Sequence, residues 1–106
     1  MTLARDVYAL TATFPKSEAF GLTNQIRRAA VSVPSNIAEG RGRATDKNFA
    51  LFLTQARGSL YELQTQTELA RDLGFANEGG AHQILAEASE IASMINGLLA
   101  ALREKP

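Results

Sequence analysis

Arg41 and Arg43 alternate with Gly40 and Gly42, and Lys47 follows one helical turn later. Glycine lets a backbone approach an anion, and each cation that neutralises a phosphate releases condensed counterions, so this segment has the chemistry of a phosphate clamp. A solvated turn between helices uses the same residue types, and no aromatic residues interleave with the cations to stack bases. Arg27 and Arg57 widen the candidate nucleic-acid set to Arg27, Arg41, Arg43, Lys47 and Arg57. Between residues 21 and 60 these five and Arg28 stand against two carboxylates, Glu39 and Asp46, a local balance of +4. The whole chain is formally neutral, with 11 cations and 11 carboxylates, so the remainder is acidic and the basic segment is the place for an acidic partner.

A second constellation is polar, with one cation and two carboxylates among its residues. Gln25, Arg28, Ser32, Asn36 and Glu39 recur at three- or four-residue steps, and Gln55, Ser59, Glu62 and Gln66 do the same further on. On helices each set forms a stripe. If the stripes face each other, Arg28 meets Glu62 or Glu39 in a charge-assisted network that fixes register or joins subunits; if they do not, both face water. Gln25, Arg28, Ser32, Asn36, Glu39, Ser59 and Glu62 are the candidate seam.

Catalytic chemistry finds little to work with. His82 is the only histidine and lies four residues after Glu78, so the paired Glu-x-x-His set of carboxylate-bridged metal bundles cannot form. There is no cysteine, no nucleophile elbow and no phosphate loop. Glu87 and Glu90 share a helix face and read as solvated. The expectation is a protein with no catalytic residues, metal or cofactor, acting by binding.

The elements that must position these residues are helices. Leu3, Val7, Leu10 and Phe14 space a first helix over residues 2–13, stopped by Pro15. Ser17 is placed to cap a second, with Leu22, Ile26, Ala29 or Ala30, Val33 and Ile37 as its core stripe, a bend at Pro34, and Gly40 as its left-handed terminus. Thr45 and Asp46 open a long third helix whose face carries Phe49, Phe52, Ala56, Leu60, Leu63, Thr67 and Ala70, with Leu51 and Leu53 widening it toward solvent and Gly74 ending it. A fourth runs roughly from Glu78 or Gly80 to Glu104 through Ile84, Ala88, Ile91, Ile95, Leu98 and Leu102. Short connections force neighbours to pack antiparallel, giving one all-α, up-down-up-down four-helix bundle over residues 1–106. Unequal helix lengths leave exposed flanks that favour self-association.

At 106 residues one core is the natural size. The first six residues include Arg5 and Asp6 where a signal peptide needs an apolar run, and no continuous apolar stretch approaches the ~20 residues of a membrane span, so the expected setting is cytoplasmic, with no membrane.

The chain resembles a known family at Phe14-Pro15 through Glu18, at Gly21-Leu22-Thr23, and at Gln25-Ile26-Arg27-Arg28-Ala29-Ala30. The likeness is strongest over Val31-Ser32-Val33-Pro34-Ser35-Asn36-Ile37-Ala38-Glu39-Gly40. It continues through Gly42-Arg43, Phe49, Phe52-Leu53, the run 56–66, and Met94-Ile95-Asn96-Gly97-Leu98-Leu99. In these motifs it is similar to the four-helix-bundle proteins related to the 23S rRNA intervening-sequence protein. That resemblance implies a cytoplasmic bundle assembling into a ring-like homopentamer. It also implies a place among relatives that are encoded inside ribosomal RNA genes or serve as accessory proteins of diversity-generating retroelements, the latter binding nucleic acid and a reverse transcriptase through a basic surface. Relatives carry residues ahead of helix one that this sequence lacks. The resulting expectation is a homo-oligomeric bundle that binds RNA or a ribonucleoprotein; the alternative is a protein–protein adaptor with no nucleic-acid role.

Overall fold

The computed structural model describes residues 2–104 as four α-helices and one short 3-10 turn: α1 (Thr2–Thr11), the turn Lys16–Glu18, α2 (Leu22–Arg41), α3 (Asp46–Asp72) and α4 (Glu78–Arg103). α2 packs between α1 and α3, and α4 closes the circle by packing on α3 and α1. This is the expected all-α four-helix bundle, and no strand occurs among the described residues.

Local chemistry explains most boundaries. Thr11 and Thr13 turn their hydroxyls back onto the Val7 and Leu10 carbonyls, 2.8 Å in each case, and α1 ends at Thr11. Ser17 does not cap α2. Pro15 holds an extended conformation and feeds the 3-10 turn, so α2 starts only after Gly21, where Glu18 Oε1 accepts a long 3.5 Å bond from the Leu22 amide. Pro34 bears no amide hydrogen, yet α2 runs through it unbroken. Ser32 Oγ lies 2.8 Å from the Ala29 carbonyl, and Asn36 Nδ2 donates to the Ser32 carbonyl at 2.8 Å, so side chains add bonds around the missing donor.

Thr45 caps α3 as expected, accepting from the Asn48 amide at 3.2 Å, and Asn77 caps α4 by accepting from the Gly80 amide at 2.6 Å. Gly74, at φ +79°, ends α3 with Phe75 N donating to Ala70 O and Gly74 N to Arg71 O. Gly40 departs from expectation: it stays helical and buried, and α2 continues to Arg41. Its need for glycine is spatial, because a Cβ there would sit 2.8 Å from Phe52 Cβ and 3.0 Å from Phe49 Cδ1.

The core runs through all four helices, with Leu3, Val7, Ile26, Ala30, Val33, Leu53, Leu60, Leu63, Ile84 and Ala88 nearly inaccessible. Leu53 is a correction, since it is fully buried while Leu51 stays 53% exposed. α1, at about 15 Å, packs on α2 and α4 and is less than half as long as α3, at about 40 Å. Phe14 and Phe75, 6.1 Å apart and tilted, close that end. α4 also departs from the sequence reading: it is long and apolar enough to match a membrane span, with mean hydropathy 1.3 over its most apolar window, 28% of which is buried in the bundle. Its alanines, isoleucines and leucines raise that mean, and the exposed Ser89, Ser93, Asn96 and Gly97 interrupt the apolar residues on its outer face.

Candidate nucleic-acid interface

Close approach of α2 and α3 at Gly40 brings the end of one helix directly over the start of the next, and the turn between them carries the cations. Arg43 pairs with Glu39 one turn back, and its guanidinium lies 5.0 Å from the centre of the Phe52 ring. Gly40, Arg41, Arg43, Thr45, Asp46 and Phe49 line an open groove of about 290 Å³ at this end. Lys47 is exposed in the first turn of α3. Arg57 lies about 15 Å further along α3 and donates from Nη1 to Asn96 Oδ1 of α4 at 2.8 Å.

Arg27 lies apart from these four. It is some 21 Å up α2 from Arg41 by helical rise, its Nε donating to Thr11 Oγ1 at 2.8 Å and its guanidinium 4.5 Å from the centre of the Tyr8 ring. In this position it ties α1 to α2.

The two polar stripes do face each other. Gln25, Arg28, Ser32, Glu62 and Gln66 line a groove of about 480 Å³ between α2 and α3, and the Ser32 and Ser59 hydroxyls share a 2.5 Å hydrogen bond across it. The expected network does not close. Glu39 is eleven residues from Arg28, about 16 Å along the helix, and its carboxylate is taken by Arg43. Arg28 and Glu62 share the groove with no ion pair between them among the described residues. Gln66 Oε1 is buried there without a hydrogen-bond partner. Asn36 bonds within its own helix and lies outside the groove lining.

Glu87 is a second correction, because its carboxylate is only partly solvated. It lies against α1, lining a shallow cleft with Thr2, Leu3, Glu90 and Ile91. Burial pushes its pKa up, the hydrogen-bonded carboxyl of Asp6 and the charges of Asp6 and Glu90 push the same way, and the Gln83 amide opposes them. A raised native pKa means that the folded state holds a proton the unfolded chain would release. Stability is therefore lost as pH rises from the ordinary glutamate value through the raised one. Glu87→Gln is expected to raise the melting temperature at pH 7 and to leave it unchanged near pH 3.5. The gain stays below about 1 kcal/mol, because water still reaches the group, and thermal melts at the two pH values measure it.

His82 is exposed on α4, and among the described residues no three His, Cys, Asp or Glu side chains converge as a metal site would require. The family model described as 23S rRNA-intervening sequence protein matches residues 1–97. No curated protein matches the chain.

Proposed function

This chain belongs to the 23S rRNA-intervening sequence protein family, and from that premise we propose that it is a non-enzymatic, homo-oligomeric bundle that binds RNA through its basic end. One observation carries the reading: Arg41, Arg43 and Lys47 gather where α2 ends and α3 begins, beside the close α2–α3 approach at Gly40, and Arg57 extends the basic strip along α3. Formal neutrality of the chain does not oppose this, because a Debye length of ~8 Å at physiological salt screens the acidic remainder from phosphates at that end. A ribonucleoprotein, such as a reverse transcriptase on its RNA, is the larger form of the same partner, encountered in the cytoplasm. Exposed Leu51, Met94 and Leu98 on α3 and α4 support self-association, with the ring of five as the assembly size.

RNA binding measured across a salt series tests the reading. Arg41→Ala combined with Arg43→Ala is expected to weaken binding and to flatten the slope of log affinity against log salt by roughly 1.4–1.8, at 0.7–0.9 per lost phosphate contact. No binding by the parent chain at low salt, or an unchanged slope in the double variant, would sink the proposal.

A protein–protein adaptor is the second reading, favoured by the groove in which, among the described residues, Arg28 and Glu62 form no ion pair and Gln66 Oε1 has no partner. A partner retained after nuclease treatment of the lysate supports it over the first.

A further inference from the structure

We infer that a notch between α3 and α4, with Arg57 and Arg103 on its two sides, is a phosphate-binding subsite that takes a backbone phosphate of the bound RNA; the RNA as its source rests on the function proposed above. The notch holds about 250 Å³ and is lined by Ala50, Thr54, Arg57, Asn96, Leu99 and Arg103. That is several times the ~30 Å³ share of one water molecule, so a phosphate group fits. No carboxylate lines it, and neither arginine has an ion pair among the described residues. Arginines from both helices thus line one cavity, and no carboxylate lines it with them. An anion placed there can take charge-assisted hydrogen bonds from both.

The donors are partly organised in advance. Arg57 is half-buried and fixed by the 2.8 Å bond from its Nη1 to Asn96 Oδ1, which occupies one of its five N–H donors and leaves the rest. Asn96 adds the hydrogens of Nδ2, which have no partner among the described residues. Thr54 directs its hydroxyl to the Ala50 carbonyl at 2.9 Å and so forms wall, as do Ala50 and Leu99. A planar fork suits a phosphate, which accepts two parallel N–H bonds, better than it suits a halide.

Asn96→Asp separates this role from a simple clasp between helices. The carboxylate keeps a partner for Arg57, so the clasp survives, but it fills the subsite with a built-in anion. Arg103→Gln removes the second cation from an exposed position. The assays are a pyrophosphate titration followed by NMR at the Arg57 and Arg103 guanidinium and Asn96 carboxamide resonances, and the RNA salt series, with thermal melts confirming that each variant is folded. Pyrophosphate is expected to shift those resonances in the parent chain and to shift the remaining ones no longer in either variant. RNA affinity is expected to fall about tenfold, the scale of one charged hydrogen bond, with Arg103→Gln flattening the salt slope by about 0.7–0.9. Resonances unmoved by pyrophosphate, or variants that bind RNA like the parent, overturn the subsite while leaving RNA binding by the basic end intact. Pyrophosphate shifts that both variants abolish, in a chain that binds no RNA, keep a phosphate site and remove RNA as its ligand.

Discussion

Leu53→Ala is expected to cost about 2–5 kcal/mol, while Leu51→Ala, two residues earlier on the same helix, should cost no more than about 0.5 kcal/mol. The pair separates two placements of the same residue type. Successive residues on a helix turn by 100°, so positions two apart point to nearly opposite sides and cannot both widen one stripe. Leu53 is wholly inaccessible within the core, and Leu51 is more than half exposed. Against a total stability of ~5–15 kcal/mol for a domain of this size, the first loss is severe. Denaturant titration of both variants with parent controls measures it. Equal, small losses would mean that α3 is rotated relative to this packing.

Gly40→Val is expected to destabilise the chain by about 1–3 kcal/mol, a fall of very roughly 4–8 °C in melting temperature per kcal/mol. It should also weaken RNA binding, because the clash lies directly beneath the cation-bearing turn. The atom in the way is Phe52 Cβ, held close to its own backbone, and a side chain cannot swing clear of it. Gly42→Ala is the control, since a Cβ at Gly42 comes no nearer than 3.6 Å to Glu39 O. Melting curves and the RNA salt series read both effects. A Gly40→Val protein as stable as the control would show that α2 and α3 do not approach this closely.

The features legible in the sequence are those set by neighbours along the chain. Thr45 as a cap and Gly74 as a left-handed terminus each depend on bonds within six residues, and both are found where the sequence puts them. The apolar stripes of α1, α2 and α4 follow from helical period, although Leu10, Ile37, Ile91 and Leu102 are only partly covered and Leu98 stays exposed.

What the sequence hid depends on distant partners. Ser17 has good capping chemistry, but the extended Pro15 delays the helix to Leu22. Gly40 suits a helix terminus equally well, and only the arrival of Phe49 and Phe52 reveals its other use. Glu87 is perturbed by Asp6, eighty-one positions away. Arg57 meets Asn96 across thirty-nine positions, which is why Arg103 never entered the sequence-derived set. The two polar stripes are legible from helical spacing, yet neither their facing nor their pairing is, because both depend on how α2 and α3 pack across the groove.

The end of the bundle built by Arg41, Arg43, Lys47, Arg57 and Arg103 carries excess positive charge, and the opposite end, with Glu68, Asp72, Glu78 and Glu87, carries excess negative charge. A particle of zero total charge with this distribution has an electric dipole moment lying along its 50 Å length. Within a Debye length of a polyanion such an object is expected to feel a torque as well as a pull, and so to turn its arginines toward the phosphates.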